Sequence, residues 1–236
     1  MFKSIKAEFI FLFMLVGLLP SAVLIGLEYW QLSKSLRRQS FMHLTSVREI
    51  KKNAIEDYFG EVRRDVRFLS ANPWVKQAMR EMSAAFHNIS PEEVSEAQAE
   101  DVANYYQDYF MPRLSDSERK EIELDSIVPT DHRTLLLQQQ YLHGNDHPST
   151  NHSYARWHDK YHGVFAEFQQ RYGYYDIFLV DDRTGHIVYS VFKETDLGTS
   201  LLDGPHASSN IGRLFRELRQ AGSQGIVMSV DFEPYL

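Results

Sequence analysis

The sequence predicts an α+β protein: an N-terminal transmembrane helix, a long helix, a helical subdomain and then an antiparallel sheet left incomplete. Three observations predict it. Residues 9–27 carry no charge, and residues 32–70 repeat apolar side chains at steps of three and four. After Gly173, runs rich in Val, Ile, Phe and Tyr replace the helical pattern. The composition suits a folded chain: of 236 residues, 43% are hydrophobic and 24% charged, which excludes disordered and collagen-like classes. The absence of cysteine excludes disulfides, thiolate metal sites and cysteine nucleophiles. A net charge of −7 argues against a nucleic-acid partner, which needs Lys and Arg to neutralise phosphates.

The apolar run 9–27 would span about 28 Å as a helix, close to the ~30 Å hydrocarbon core. Tyr29 and Trp30 stand at its end, where amphipathic rings favour the headgroup layer, and Pro20 is tolerated in a membrane helix. A cleaved signal peptide is the competing reading, with Lys3 and Lys6 as its basic region. The run is longer than the usual signal core, and no clear small-residue cleavage site follows it. Lys3 and Lys6 on one side face Lys34, Arg37 and Arg38 on the other, so charge leaves the orientation open. No second run of membrane length occurs, so the chain crosses once.

From the anchor onward, Val47, Ile50, Ala54, Tyr58, Val62, Val66 and Leu69 form one apolar helical stripe. The stripe continues towards the membrane and predicts a homodimer through the long helix. Asn72-Pro73 reads as an N-cap with proline at the first helical position, bending the helix or starting a new one. Ser90-Pro91-Glu92-Glu93 is a capping-box signature and predicts a helix over 91–111. Thr130 or Asp131 caps a short helix through Leu142, residues 143–151 form a loop, and 152–171 are helical again. Residues 174–181 and 186–192 read as strands joined by a hairpin at 182–185, each apolar on both faces and so covered. A helix over 210–221 and a third strand over 226–232 follow. Four segments result: anchor 1–30, stalk 31–89, helical subdomain 90–172 and sheet 173–236. No repeat, phosphate loop, nucleophile elbow or metalloprotease motif occurs.

The segment Gly173-Tyr174-Tyr175-Asp176-Ile177-Phe178-Leu179-Val180-Asp181, with Thr184-Gly185, Ile187-Val188-Tyr189-Ser190-Val191-Phe192-Lys193-Glu194 and Asp196, resembles a known sensor region. It is similar to the double-Cache (PAS-like) extracytoplasmic domains of bacterial chemoreceptors, sensor kinases and cyclases. Leu137-Gln138, Tyr141, Ser153-Tyr154, His158 and Tyr161-His162 upstream match the same pattern, as do Gly198-Thr199-Ser200-Leu201, Gly204-Pro205 and Asp231-Phe232 downstream. The resemblance implies a PAS-like sheet, residues beyond 30 outside the cell, and a small-molecule ligand of unstated identity. It also implies a second membrane crossing and an output domain, which this sequence does not contain, so the chain reads as the front part of a receptor. The Arg-x-Trp-Tyr element of amino-acid-binding members is absent, since Arg156-Trp157-His158 departs from it.

PAS-like modules hold ligands between the sheet and its covering helices, which singles out Tyr154, Trp157, Tyr161, Tyr175, Tyr189 and Asp231. The tyrosines would stack on a ligand or donate hydroxyl bonds, and Asp231 would pair with a cationic group; the alternative is plain core packing. Asp176 and Lys193 read as structural. Six of ten histidines fall between His132 and His162, and both His143/His147 and His158/His162 are four apart. That spacing suits a metal, but no third or fourth ligand is fixed, so the histidines read as a solvent-facing His-rich loop and helix and neither metal nor cofactor is expected. Asp181, Asp182, Glu194 and Asp196 sit beside turns, where Asp favours local backbone bonds over acid–base work, and no enzyme is expected. A membrane-tethered scaffold with an empty sheet domain is the rival function.

Overall fold

The computed structural model describes residues 5–116, 118–142, 152–222, 225–231 and 233. They fall into two compact units, Met1–Arg64 and Asp65–Leu236. One helix, α1 (Ile5–Ala71), takes up the described part of the first unit and continues into the second. It contains Pro20, has no buried residue, and is long and apolar enough to cross a membrane. Its exposed apolar side chains continue past the apolar stretch, through Leu44, Ile50, Ile55 and Tyr58.

The second unit runs α2 (Pro73–His87), α3 (Glu96–Tyr105), α4 (Glu118–Glu121), α5 (Leu124–Ile127), α6 (His132–Tyr141), α7 (Ser153–Tyr172), β1 (Phe178–Val180), β2 (Ile187–Ser190) and α8 (Asn210–Ala221). The fold is thus mostly helical with a two-stranded antiparallel sheet. The Asn72-Pro73 signal acts as read. Asn72 Oδ1 accepts the Trp74 N–H at 2.8 Å, and Pro73 occupies a position whose donor would be orphaned anyway. The apolar face of α2 (Val75, Ala78, Met82, Ala85 and Phe86) is buried against α7 and β2. Leu136, Leu137 and Tyr141 of α6, Tyr154, Tyr161 and Phe165 of α7, and Val188 and Tyr189 of β2 complete that core. Each large side chain so buried contributes about 1.5–3 kcal/mol. A smaller core joins Val102 and Tyr106 to Ile127.

Gly173 ends α7 in the left-handed region at φ 71°, which explains why the helical pattern stops there. The hairpin then closes with the Gly185 N–H on the Asp181 carbonyl at 2.8 Å. Leu179 stands opposite Tyr189, and an irregularity in pairing follows between Leu179 and Val180. Every residue of β2 is buried, so this strand is covered on both faces as its composition implies. The stretch after the hairpin is fastened to α6. Gln138 Nε2 donates to the Thr195 and Leu197 carbonyls at 2.8 and 3.1 Å, and Thr134 Oγ1 donates to the Gly198 carbonyl at 2.7 Å. Gly198 has φ 83°, and a Cβ there would lie 3.0 Å from the Thr134 Cα, so only glycine lets this stretch approach α6 so closely.

Three expectations are corrected. The helix foreseen over 91–111 starts at Glu96, because Pro91–Glu93 makes a single 3-10 turn. Ser95 and Gln98 supply the effective capping box, with the Ser95 N–H on Gln98 Oε1 at 2.9 Å. The two strands are shorter than foreseen, and Asp176 fastens the chain where β1 begins and β2 ends. Its carboxylate accepts the Ile177 N–H at 2.5 Å, the Ser190 hydroxyl at 2.6 Å and the Val191 N–H at 2.9 Å. The third strand is absent among the described residues: 225–231 pair with no strand. That segment is tied to α8 instead, through Asn210 Nδ2 on the Asp231 carbonyl at 2.7 Å and Arg213 on Glu233 at 2.7 Å. The foreseen loop at 143–151 lies outside the described residues.

Candidate functional site

The helical spacing of α7 puts Tyr154, His158, Tyr161, His162 and Phe165 on its inward side, facing α2, α6 and β2. The imidazoles of His158 and His162 stack with ring centres 4.6 Å apart. His162 Nδ1 lies 2.9 Å from the Tyr189 hydroxyl of β2, and the Tyr141 ring sits 4.7 Å from that of His158. Tyr154 donates its hydroxyl to the Val188 carbonyl at 2.8 Å, and burial pushes its ionisation far above the usual phenol range. Lys193 closes the cluster. It adopts φ 58°, a conformation uncommon outside glycine, and is buried with its Nζ 3.5 Å from both His162 nitrogens and 3.2 Å from the Val191 carbonyl. The arrangement is a buried cluster of imidazole, phenol and ammonium groups. Among the described residues, no group of three His, Cys, Asp or Glu residues is placed to hold a metal.

Trp157 and Tyr161 extend this cluster towards Trp74 and Glu81 of α2. Their rings stack at 6.4 Å, with Lys160 Nζ 4.6 Å from the indole and Trp74 edge-on to Tyr161 at 4.9 Å. Tyr161 donates its hydroxyl to Glu81, which Lys160 also reaches at 2.9 Å. The Tyr161 bond, helped by Gln77 and Lys160, holds the Glu81 carboxyl down at about 2.

The other two candidates lie apart. Tyr175 is 68% exposed, stacked on Phe192 at 5.2 Å. Its hydroxyl donates to Glu194 at 2.7 Å, which pushes its ionisation up to about 12. Asp231 is exposed beside α8. The structure therefore joins Tyr154, Trp157, Tyr161 and Tyr189 around α7 and leaves Tyr175 and Asp231 outside.

A second polar network was not foreseen from sequence. Asp181 at the end of β1 accepts the local Arg183 and Thr184 N–H groups at 2.9 and 3.1 Å, the Asp-turn pattern expected of it. It also accepts the Ser83 hydroxyl and lies 3.2 Å from His87 Nε2, both on α2. Burial pushes its carboxyl up, yet these donors outweigh burial and hold it far below the ordinary value. Arg133 Nη1 lies 3.2 Å from His87 Nδ1 and has only protons to offer, so Nδ1 accepts and Nε2–H donates to Asp181. Asp131, the N-cap of α6, completes the chain with bonds of 3.0–3.2 Å from Arg133. No sequence signal marks such a network, because Ser83 and His87 are 98 and 94 residues from Asp181.

Comparison with protein-family models, curated proteins and solved structures finds no match for this chain.

Proposed function

We propose that the chain is the extracytoplasmic ligand-sensing region of a bacterial transmembrane signalling receptor, of the chemotaxis, two-component or second-messenger type. In this reading α1 is an anchor that crosses the cell membrane, and the unit beyond it is a PAS-like Cache module that takes a small molecule. The observation that carries it is continuity. One helix runs unbroken from the apolar stretch to Ala71, and Asn72 alone separates it from α2, which packs on α7 and β2. A ligand that fits one arrangement of α2, α7 and β2 better than another shifts their equilibrium by that difference in affinity. A shift of roughly 1–2 Å at α2 then enters α1 directly, and a homodimer paired along its exposed apolar stripe carries it to the membrane.

The sequence has no cysteine, so single cysteines introduced along residues 44–69 report the pairing without background. Disulfide formation in membranes should follow a helical period; uniform or absent crosslinking overturns the dimeric account. A second reading has its own observation: the hydroxyls of Tyr154, Tyr161 and Tyr189 already have partners inside the protein, as in a scaffold that binds nothing. A thermal-shift screen of small metabolites against the full chain separates the two. Bound ligand stabilises by RT ln(1 + [L]/Kd), so a sensor gives at least one hit and a scaffold gives none.

A further inference from the structure

A cleft of about 540 Å³ opens between residues 125–134 and 198–205, with His186 in its wall. This volume is in the range of small-molecule sites. It is separate from the α7 cluster, and none of the six residues singled out from sequence lines it. Its single fixed cation is Arg133. Asp131 takes the side of the guanidinium, bonding Nε and Nη2, while Nη1 gives one proton to His87. Of the five N–H groups of an arginine, one on each of Nη1 and Nη2 thus stays without a partner among the described residues. Guanidinium N–H groups of this kind are the donors a carboxylate accepts. His186 Nδ1 is buried with no hydrogen-bond partner among the described residues, and burial, with the nearby Arg133 charge, pushes the ring's ionisation down. The Asp203 carboxylate stands on the rim. An unprotonated imidazole nitrogen and a carboxylate accept hydrogen bonds, and acidic neighbours disfavour a doubly charged anion.

We infer that this cleft binds a small carboxylate that carries hydroxyl or amino donors. The ligand carboxylate takes the Arg133 N–H groups left without a partner, and its donors meet His186 and Asp203. Asp131 is the resident competitor: it holds the same guanidinium and sets the charge an entering carboxylate meets. Occupancy reaches α2 through Arg133, His87 and Asp181, a hydrogen-bonded path already in place. The binding itself does not depend on the receptor reading, and its test is direct.

The test is isothermal titration of the full chain in detergent at neutral pH with lactate, glycerate and malate. Acetate and inorganic phosphate serve as the donor-free and phosphate comparators. At least one hydroxy acid should bind, with acetate and phosphate tenfold weaker or more. Arg133→Gln should weaken that binding tenfold or more, since it removes a charge-assisted contact. Asp131→Asn keeps a side-chain cap for α6 but removes the competing charge, and should tighten binding several-fold. A variant that had merely lost its fold could not gain affinity, so the opposite responses separate ligand contact from damage. Hydroxy acids that give no binding heat, binding unchanged in Arg133→Gln or weakened in Asp131→Asn, or a preference for phosphate overturns the inference.

Discussion

Replacing Asp181 with alanine is expected to destabilise the second unit by about 3–5 kcal/mol, since several buried donors lose their acceptor at a cost of about 1–3 kcal/mol each. The carboxylate accepts from Ser83, His87, Arg183 and Thr184, and its removal leaves two α2 side chains and the hairpin turn without their acceptor. Trp74 and Trp157 lie on α2 and α7, so the midpoint of urea unfolding followed by tryptophan emission reports on this unit. Asp181→Asn isolates the charge. The folded state holds the carboxyl far below the unfolded value of about 3.9, so its ionisation adds stability that is fully present above that value. That increment is lost as pH falls through the folded-state value. The gap between wild type and Asp181→Asn should therefore be full at pH 7 and shrink progressively below about pH 4. A gap independent of pH would show that the network does not depend on the carboxylate charge.

Phe86→Ala is expected to cost about 3–5 kcal/mol by transfer and cavity formation together. Phe86 is fully buried on α2 and belongs to the core shared with α6, α7 and the sheet. Its ring also meets His186 at 5.2 Å and Arg133 at 5.4 Å, which brings the α2 core beside the cleft. The loss should appear as a lower urea midpoint. A change under about 1 kcal/mol would mean that α2 is not packed on α6, α7 and β2 as described.

The parts of the fold visible in the sequence are those governed by local chemistry. The Asn72 cap, the Asp131 cap, the Gly173 stop and the helix at 210–221 each depend on residues a few positions apart. Those signals are legible in the sequence for that reason, although for the cap of α6 they leave Thr130 and Asp131 as alternatives and the structure uses Asp131. Errors arose where two local signals competed or a distant partner decided. Ser90-Pro91-Glu92-Glu93 and Ser95 with Gln98 both resemble helix starts, and only the second leads into an α-helix. The alternating Ile226, Met228 and Val230 resemble a strand, but bonds from Asn210 and Arg213 of α8 hold that segment off the sheet. Within the candidate site, Tyr154, Trp157 and Tyr161 of α7 were legible only through the family resemblance, and the reading of His158 and His162 as solvent-facing is overturned, because both rings are buried against Tyr141 and Tyr189. The Asp181–His87–Arg133 network was not legible, because three separate elements supply it and no short-range pattern precedes their meeting.

The central claim is that α1 crosses the membrane once and holds the sheet-bearing unit outside the cell. Two single-cysteine variants test it, Lys6→Cys before the apolar stretch and Ser35→Cys after it, each treated in intact bacterial cells with a membrane-impermeant maleimide. The account predicts labelling of Ser35→Cys in intact cells and of Lys6→Cys only after lysis. Protection of both until lysis, or recovery of the chain in the soluble fraction, would contradict it.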